Sequence, residues 1–353
     1  MPMNHDTRRL LDDFLFIGAD DYLALYPESG ATHRTRPFGI PYSVIRNCLC
    51  AGEQGQIVMP PGERNGRSFI LKESFNHEHG DDVLALALSS ALLHAGRTES
   101  VVLDEAVPLY PLWSLGNLWH WLFESVPKVC AMEAAGYTGP YIANASSAVV
   151  REGLALMGVG PERLVHCAVP HLVRRAVLPH VVHWSRIYEH KGLLLACRER
   201  MLEAAGTEGG EKHCFIRRIG ERKLLNEQEL LDALHSYDIE VLVPEEHSLA
   251  GQIAFMSNSV LTLSPHGANT ALAFFQKGNS VLMEFFGHDH INNACNLAII
   301  RNLRLLYLPV TQTVMSGRPV GSGNTGAGLD DYTVNAELAA AMLDNVRSVQ
   351  YRL

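Results

Sequence analysis

What this sequence lacks narrows its function first. It has no excess of positive charge: 29 lysines and arginines stand against 38 acidic residues, a formal net charge of −9 at pH 7. General nucleic-acid binding needs many phosphate-neutralising cations, so no nucleic-acid partner is expected. It also has no disulfide framework. Its seven cysteines are an odd, scattered set whose one close pair is Cys48 and Cys50, which reads as reduced thiols of a cytosolic protein. The longest apolar run, VLALALSSALLHA near residues 83–95, falls well short of the roughly 20 residues a spanning helix needs. The opening MPMNHDTRRLLDDFLFIG is too charged, and too short in its apolar part, for a signal peptide. These absences lead to a cytoplasmic expectation, with peripheral contact at the inner face of a membrane left open. There is no internal repeat and no low-complexity tract. Nor is there a closed zinc pattern: HEH at 77–79 and HDH at 288–290 are imidazole pairs in polar loops with the wrong spacing, so no metal site is expected.

What is present describes a globular α/β protein. At 353 residues the chain exceeds one ordinary hydrophobic core, which predicts two domains. An apolar fraction of 47% with 19% charged residues fits folded, not disordered, chain. The first hundred residues hold short β-prone runs, QIVM and SFILK, among Gly/Pro-rich turns such as MPPGERNGRSF. From about residue 98, strand patterns alternate with helical ones. GNLWHWLFESVPKVCAMEAAG reads as a helix, GPYIAN as a strand, SSAVVREGLALMGV as a helix, and RLVHCAV and LVRRAVLP as strands. A second series starts with the helix YEHKGLLLACRERMLEAAG and continues through CFIRR, NEQELLDALHSY, IEVLVP, SLAGQIAFMSNS, VLTLS, GANTALAFFQ, SVLMEFF and NACNLAIIRNL. Asn226 with Glu229 three residues on has the form of a capping box, and Ser248 that of an N-cap. Such alternation predicts βαβ units and parallel sheets. The expected fold is two Rossmann-like doubly wound domains facing a central cleft. The expected boundaries are residues 1–190 for the N-terminal domain and 191–330 for the C-terminal one. Residues 331–353 are a last helix for which packing back on the N-terminal domain is left open.

Three stretches can carry chemistry. In FIRRIGERKLLNE, residues 215–227, Arg217, Arg218, Arg222 and Lys223 sit at a strand end before a capped helix. Arginine forks and a helix N-terminus both suit phosphate oxygens, against the alternative of a solvated charged loop. In LTLSPHGANTALAFF, residues 261–275, a strand hands over to a helix through His266, Gly267 and Ala268. Small residues there let backbone N–H groups approach an anion, and His266 could donate to a phosphate or a sugar hydroxyl; a satisfied turn histidine is the alternative. In GNLWHWLFE, residues 116–124, His120 and Glu124 share a helix face at four-residue spacing, which suits a general base with an orienting acid. The flanking Trp119, Trp121 and Phe123 suit a core face or a sugar-stacking wall, and His120 alone would suit a core histidine. Pro127 is expected to kink or restart this helix.

In this order the stretches resemble glycosyltransferase family 61. The match runs through Asn117, His120, Trp121, Leu122 and Glu124, then Phe215, Ile216 and Arg218, then Arg222, Asn226 and Glu227. It continues with Ser248, Leu249, Gln252 and Ile253, and closes with His266, Gly267, Ala268 and Glu284, over roughly residues 100–310. The resemblance implies a GT-B-like architecture and inverting, metal-independent transfer from a nucleotide sugar, a UDP-sugar in particular, to a glycan or lipid-linked glycan hydroxyl. It implies His120 and Glu124 as the base pair and Asn117 and Trp121 on the acceptor side. Arg218 and Arg222 would stabilise the leaving diphosphate. Asn226, Ser248, Gln252, His266, Gly267, Ala268, Asn269 and Glu284 would line the donor site. Glu284 would bind ribose hydroxyls or serve as a buried structural carboxylate. Where the family commonly continues Gly-Leu-Thr-Asn, this chain has Asn269, Thr270, Ala271 and Leu272. An asparagine tolerates the left-handed backbone of a glycine, but the contacts of the absent asparagine must be lost or replaced. Lipopolysaccharide or other polysaccharide biosynthesis is the setting this implies. The readings kept beside it are a nucleotide-sugar-binding protein without catalysis and a metal-dependent hydrolase.

Overall fold

A computed structural model describes residues 14–17, 24, 30–51, 56–59, 68–71, 100–109, 116–180, 190–207, 209–220, 222–287, 296–311 and 331–348. The apolar run at 83–95 and the histidine pairs at 77–79 and 288–290 lie outside them. The chain divides into two compact units, Met1–Cys197 and Arg198–Leu353.

The first unit begins with β1 (Phe14–Ile17), β2 (Gly30–Arg34), β3 (Pro41–Ala51), β4 (Gln56–Met59), β5 (Ser68–Leu71) and β6 (Val101–Leu103). It continues with β7 (Val107–Pro108), α1 (Leu118–His120), α2 (Val126–Ala134), β8 (Tyr141–Ala143), α3 (Ala148–Leu156), β9 (Leu164–His166) and β10 (His171–Pro179). The expected parallel alternation holds where helices separate the strands: β7, β8 and β9 form a three-stranded parallel sheet. The rest departs from a doubly wound domain. A seven-stranded sheet runs β1-β5-β4-β3-β10-β6 with β2 beside β3, and its pairings around β3 are antiparallel. Connection length explains this. A parallel crossover needs a dozen or more residues, whereas the four to eight residues between successive strands from β2 to β5 allow only hairpins. The few residues between β9 and β10 likewise send β10 into the other sheet, against β3.

The second unit is the doubly wound one. After α4 (Lys191–Ala205), which runs across the unit boundary, come β11 (Lys212–Ile216), α5 (Glu227–Ala233), β12 (Ile239–Leu242), α6 (Leu249–Met256) and β13 (Ser259–Pro265). Then follow β14 (Val281–Phe286), α7 (Leu297–Leu303), β15 (Leu306–Thr311) and α8 (Ala336–Ser348). The sheet order is β12-β11-β13-β14-β15 and every pairing is parallel. Both β13 and β14 are buried along their whole length, as central strands covered on two faces must be. The core joins Phe215, Leu261, Leu263, Met283 and Phe285 to Leu230, Leu234 and Tyr237. From α8 it takes Ala336, Ala339, Leu343 and Val346. The last helix therefore completes the second unit's own core.

Residues 268–275 are a 3₁₀ helix, not the expected α-helix. Thr270 through Phe275 are all buried, so the segment fills a narrow slot and shows no amphipathic face. Leu272 is fully buried, and Thr270 bonds the Ser264 hydroxyl at 3.0 Å. Leu272 is thus a core residue, and Thr270 is tied to β13.

Candidate active site

Strand order decides which residues meet in the second unit. The chain winds outward from β11 to β12 in one direction and through β13, β14 and β15 in the other. The switch point therefore lies between the carboxyl ends of β11 and β13, the usual ligand crevice of such sheets. Arg218 leaves β11 and His266 leaves β13 at that point. The Arg218 Nη1 donates to the His266 carbonyl at 3.4 Å. Gly267 is needed for this approach: a Cβ there would lie 1.8 Å from Nη1. Its backbone is extended, so the reason for glycine is room for a guanidinium. Gly267→Ala is accordingly expected to leave the thermal midpoint nearly unchanged, because an arginine tip swings aside easily. Nucleoside diphosphate affinity should fall about 3- to 10-fold as a charge-assisted contact is lost in part. Calorimetric titration checks it; wild-type affinity would show that Arg218 is not a ligand.

The His266 ring is fixed on several sides. Its Nδ1 lies 2.7 Å from Glu284 Oε1, and the ring stacks on Phe286 with centroids 4.7 Å apart. Glu284 is fully buried. The Asn296 amide donates to both its oxygens at 2.8 and 2.7 Å, and the Tyr307 hydroxyl donates to Oε2 at 2.7 Å. Burial pushes the Tyr307 hydroxyl pKa upward, and the charge and hydrogen bond of Glu284 push it further, so Tyr307 stays a donor. With both oxygens taken by protein donors, Glu284 is the buried anchor of His266 and leaves no oxygen for a ribose. The carboxylate fixes Nδ1 as the donor atom and leaves Nε2 as the ring's working nitrogen.

The arginine loop is held differently from the sequence expectation. Arg217 is bound to Glu227, whose hydrogen bond raises the guanidinium pKa, and so it neutralises α5's first acid. Arg222 has φ +62°, a left-handed backbone rare for a side chain of this size, and its buried Nε has no hydrogen-bond partner. Strain and an unpaired buried cationic donor together suit a site that waits for an anion. Asn226 does not cap α5. Its carboxamide is spent on the Val334 backbone, accepting from N at 3.1 Å and donating to O at 2.8 Å, and it donates to Glu229 at 3.1 Å. Ser248 does cap α6, accepting from Gly251 N at 3.1 Å. The Gln252 amide is buried and donates to the Pro244 and His247 carbonyls at 2.8 and 3.0 Å. Asn226, Ser248 and Gln252 therefore shape loops, and their bonds run to the protein. Ala268 and Asn269 start the 3₁₀ helix beside Gly267, half-exposed. Tyr332, Tyr307, Asn296, Phe286 and Asp331 escaped the sequence reading because each lies far along the chain from its partner and in no recurring spacing.

In the first unit, Asn117 caps α1. Its Oδ1 accepts from the Trp119 and His120 amides at 3.0 and 3.3 Å, which fixes the backbone under His120. A π-type turn, Trp121–Ser125, follows, in which the Val126 amide donates to the Trp121 carbonyl. Pro127 explains it: a proline cannot donate to Phe123 and its ring would strike that carbonyl, so the helix widens and restarts as α2. His120 Nδ1 and Glu124 Oε2 are 3.0 Å apart, but their angle is not that of a formed hydrogen bond, and each is buried without one. Both groups turn about soft terminal torsions, so the pair aligns with a small rotation. The His120 side chain is 19% exposed and Glu124's 7%, which leaves the imidazole an open edge. Trp119, Trp121 and Phe123 are buried, so they form a core face and not a sugar-stacking wall. Trp121 leans on Gly153, where a Cβ would come within 2.2 Å of Nε1.

Among the described residues no group of three or more His, Cys, Asp or Glu side chains could hold a metal ion, and no helix is long and apolar enough to cross a membrane. Residues 118–283 match the family described as glycosyltransferase 61, which spans both the His120 and the Arg218–His266 elements. A curated relative, protein O-linked-mannose beta-1,4-N-acetylglucosaminyltransferase 2 of Bos taurus, is 29% identical over 119 residues. That alignment covers 32% of this chain and 20% of the relative, so the chain spans about a fifth of that protein's length.

Proposed function

The chain carries a glycosyltransferase 61 domain at residues 118–283, and from that premise we propose an inverting, metal-independent transfer of a sugar from a nucleoside diphosphate donor to a glycan or lipid-linked glycan hydroxyl. The observation that supports the donor half is Arg218 against the His266 carbonyl at the switch point of the second unit's sheet, with His266 anchored by Glu284 and strained Arg222 on the loop that follows β11. Two fixed cations and a histidine stabilise charge that develops on a departing diphosphate in the place of a divalent ion. A UDP-sugar is the proposed donor, and the relative's name makes an N-acetylglucosaminyl donor the first to try.

His120 is the base in this reading. The acceptor oxygen bonds to the anomeric carbon as the carbon–phosphate-oxygen bond breaks. The acceptor proton passes to His120 Nε2, while Glu124 faces Nδ1 and stabilises the imidazolium. The bond electrons leave with the diphosphate toward Arg218 and Arg222.

The direct test of the donor half is Arg222→Ala. A charge-assisted contact contributes about 1.5–3 kcal/mol, so UDP affinity should fall about 10- to 150-fold. The thermal midpoint should stay near wild type, since the Cβ of alanine meets the positive φ as that of arginine does and the change removes an unpaired buried donor. Titration and a melt read the two effects; an unaltered titration removes Arg222 from the site.

A further inference from the structure

We infer that Tyr332 is a positioning residue that locks the arginine loop and the His266 turn into one register, so that diphosphate affinity depends on a side chain outside the ligand's own contacts. The inference rests on the reading of Arg218 and Arg222 as diphosphate ligands and names what holds them.

Residues 222–226 lie beyond the end of β11, where the sheet offers no partner. The chain returns there 108 positions later. Leu224 and Tyr332 form a parallel bridge. Tyr332 N donates to Lys223 O at 3.0 Å and Leu225 N to Tyr332 O at 2.7 Å. Asp331 Oδ1 accepts from Lys223 N at 2.9 Å, and Asn226 holds both backbone groups of Val334. The segment 331–334 thus straps the loop along its length. Arg222, with its left-handed backbone, immediately precedes the strapped residues.

From the strap the Tyr332 ring turns inward and is 3% exposed. It fills the space over Gly287, where a Cβ would lie 2.6 Å from Cδ1. Its hydroxyl donates to the Phe285 carbonyl at 2.8 Å, the same carbonyl that accepts from His266 N at 2.8 Å. Phe285 follows Glu284, which holds the His266 ring. One residue therefore joins the loop bearing Arg222 to the turn bearing His266. Burial is the main cause of the raised pKa of the hydroxyl, and the Arg218 and Arg222 charges oppose it, which places both guanidinium groups within electrostatic reach.

The test is calorimetric titration of the full chain with inorganic pyrophosphate and with UDP, beside thermal melts. Tyr332→Phe keeps the ring and loses the bond to Phe285, and should weaken both probes about 3- to 10-fold. Tyr332→Ala should weaken them further, with Phe as the partial rescue. Tyr237→Phe, which removes a buried hydroxyl bond to Asp344 in the same core, should lower the midpoint and leave both affinities unchanged. If Tyr332→Ala does not fold, Asp331→Ala loosens the strap from its half-exposed end and should again weaken both probes. Unchanged affinity in folded Tyr332 variants, with Arg218→Ala clearly weakened, overturns the inference alone. Unchanged affinity in Arg218→Ala overturns the diphosphate reading, and this inference with it.

Discussion

His120→Ala should lower sugar transfer by about 10²- to 10⁴-fold while UDP affinity stays within about twofold of wild type. The span is what a positioned general base contributes, and the separation follows because the diphosphate ligands lie on other elements. A core histidine would behave oppositely, lowering stability and leaving turnover per folded molecule intact. Three features favour the base. Asn117 fixes the backbone amide of His120, Glu124 faces its Nδ1 at 3.0 Å, and the ring keeps an open edge although both neighbouring tryptophans are buried. Glu124→Gln is the companion variant. It keeps an oxygen near Nδ1 but removes the charge that stabilises the imidazolium, so it should fall between wild type and His120→Ala. Initial rates at saturating donor, with UDP titrations alongside, read both quantities.

Glu284→Leu is expected to destabilise the second unit by about 3–5 kcal/mol, the usual effect of removing one member of a buried charged network. The His266, Asn296 and Tyr307 donors would lose their shared, fully buried acceptor. His266 would then lose its anchor, and UDP affinity should fall with stability. Glu284→Gln separates the two effects. An amide keeps one acceptor oxygen but turns an NH₂ toward donors, so about 1–3 kcal/mol should still be lost. Urea unfolding measures the first effect and titration the second. Wild-type stability in Glu284→Leu would mean that Glu284 is not the hub its four contacts describe.

Much of the second unit could be read in the sequence because its signals are local. Strand and helix runs alternate with lengths that force parallel crossovers, and so Arg218, His266 and Glu284 fall at strand ends on one edge. Ser248 as a cap was legible for the same reason. Competition for one group was not legible. Asn226 and Glu229 have capping-box spacing, yet Val334 takes the carboxamide, and nothing within four residues of Asn226 announces a partner 108 positions on. Trp121 suited a wall or a core equally by pattern, and Gly153 on another helix decided for the core. The antiparallel pairings of the first unit's mixed sheet followed from connection lengths more than from strand composition, and the helical half of that unit drew attention away from them. Glu284 illustrates the general difficulty: a buried anchor and a ligand acceptor share the same sequence position, and only Asn296 and Tyr307 distinguish them.

The most direct measurement is UDP released from a panel of UDP-sugars, starting with UDP-N-acetylglucosamine, by the wild type, His120→Ala and an Arg218→Ala/Arg222→Ala pair, with and without chelator. We expect one donor to be turned over at a rate indifferent to chelation, reduced at least 100-fold without His120 and lost without the arginines. UDP that binds tightly while no donor is turned over would contradict transfer and leave a nucleotide-sugar-binding protein; release that stops on chelation would contradict the metal-independent site.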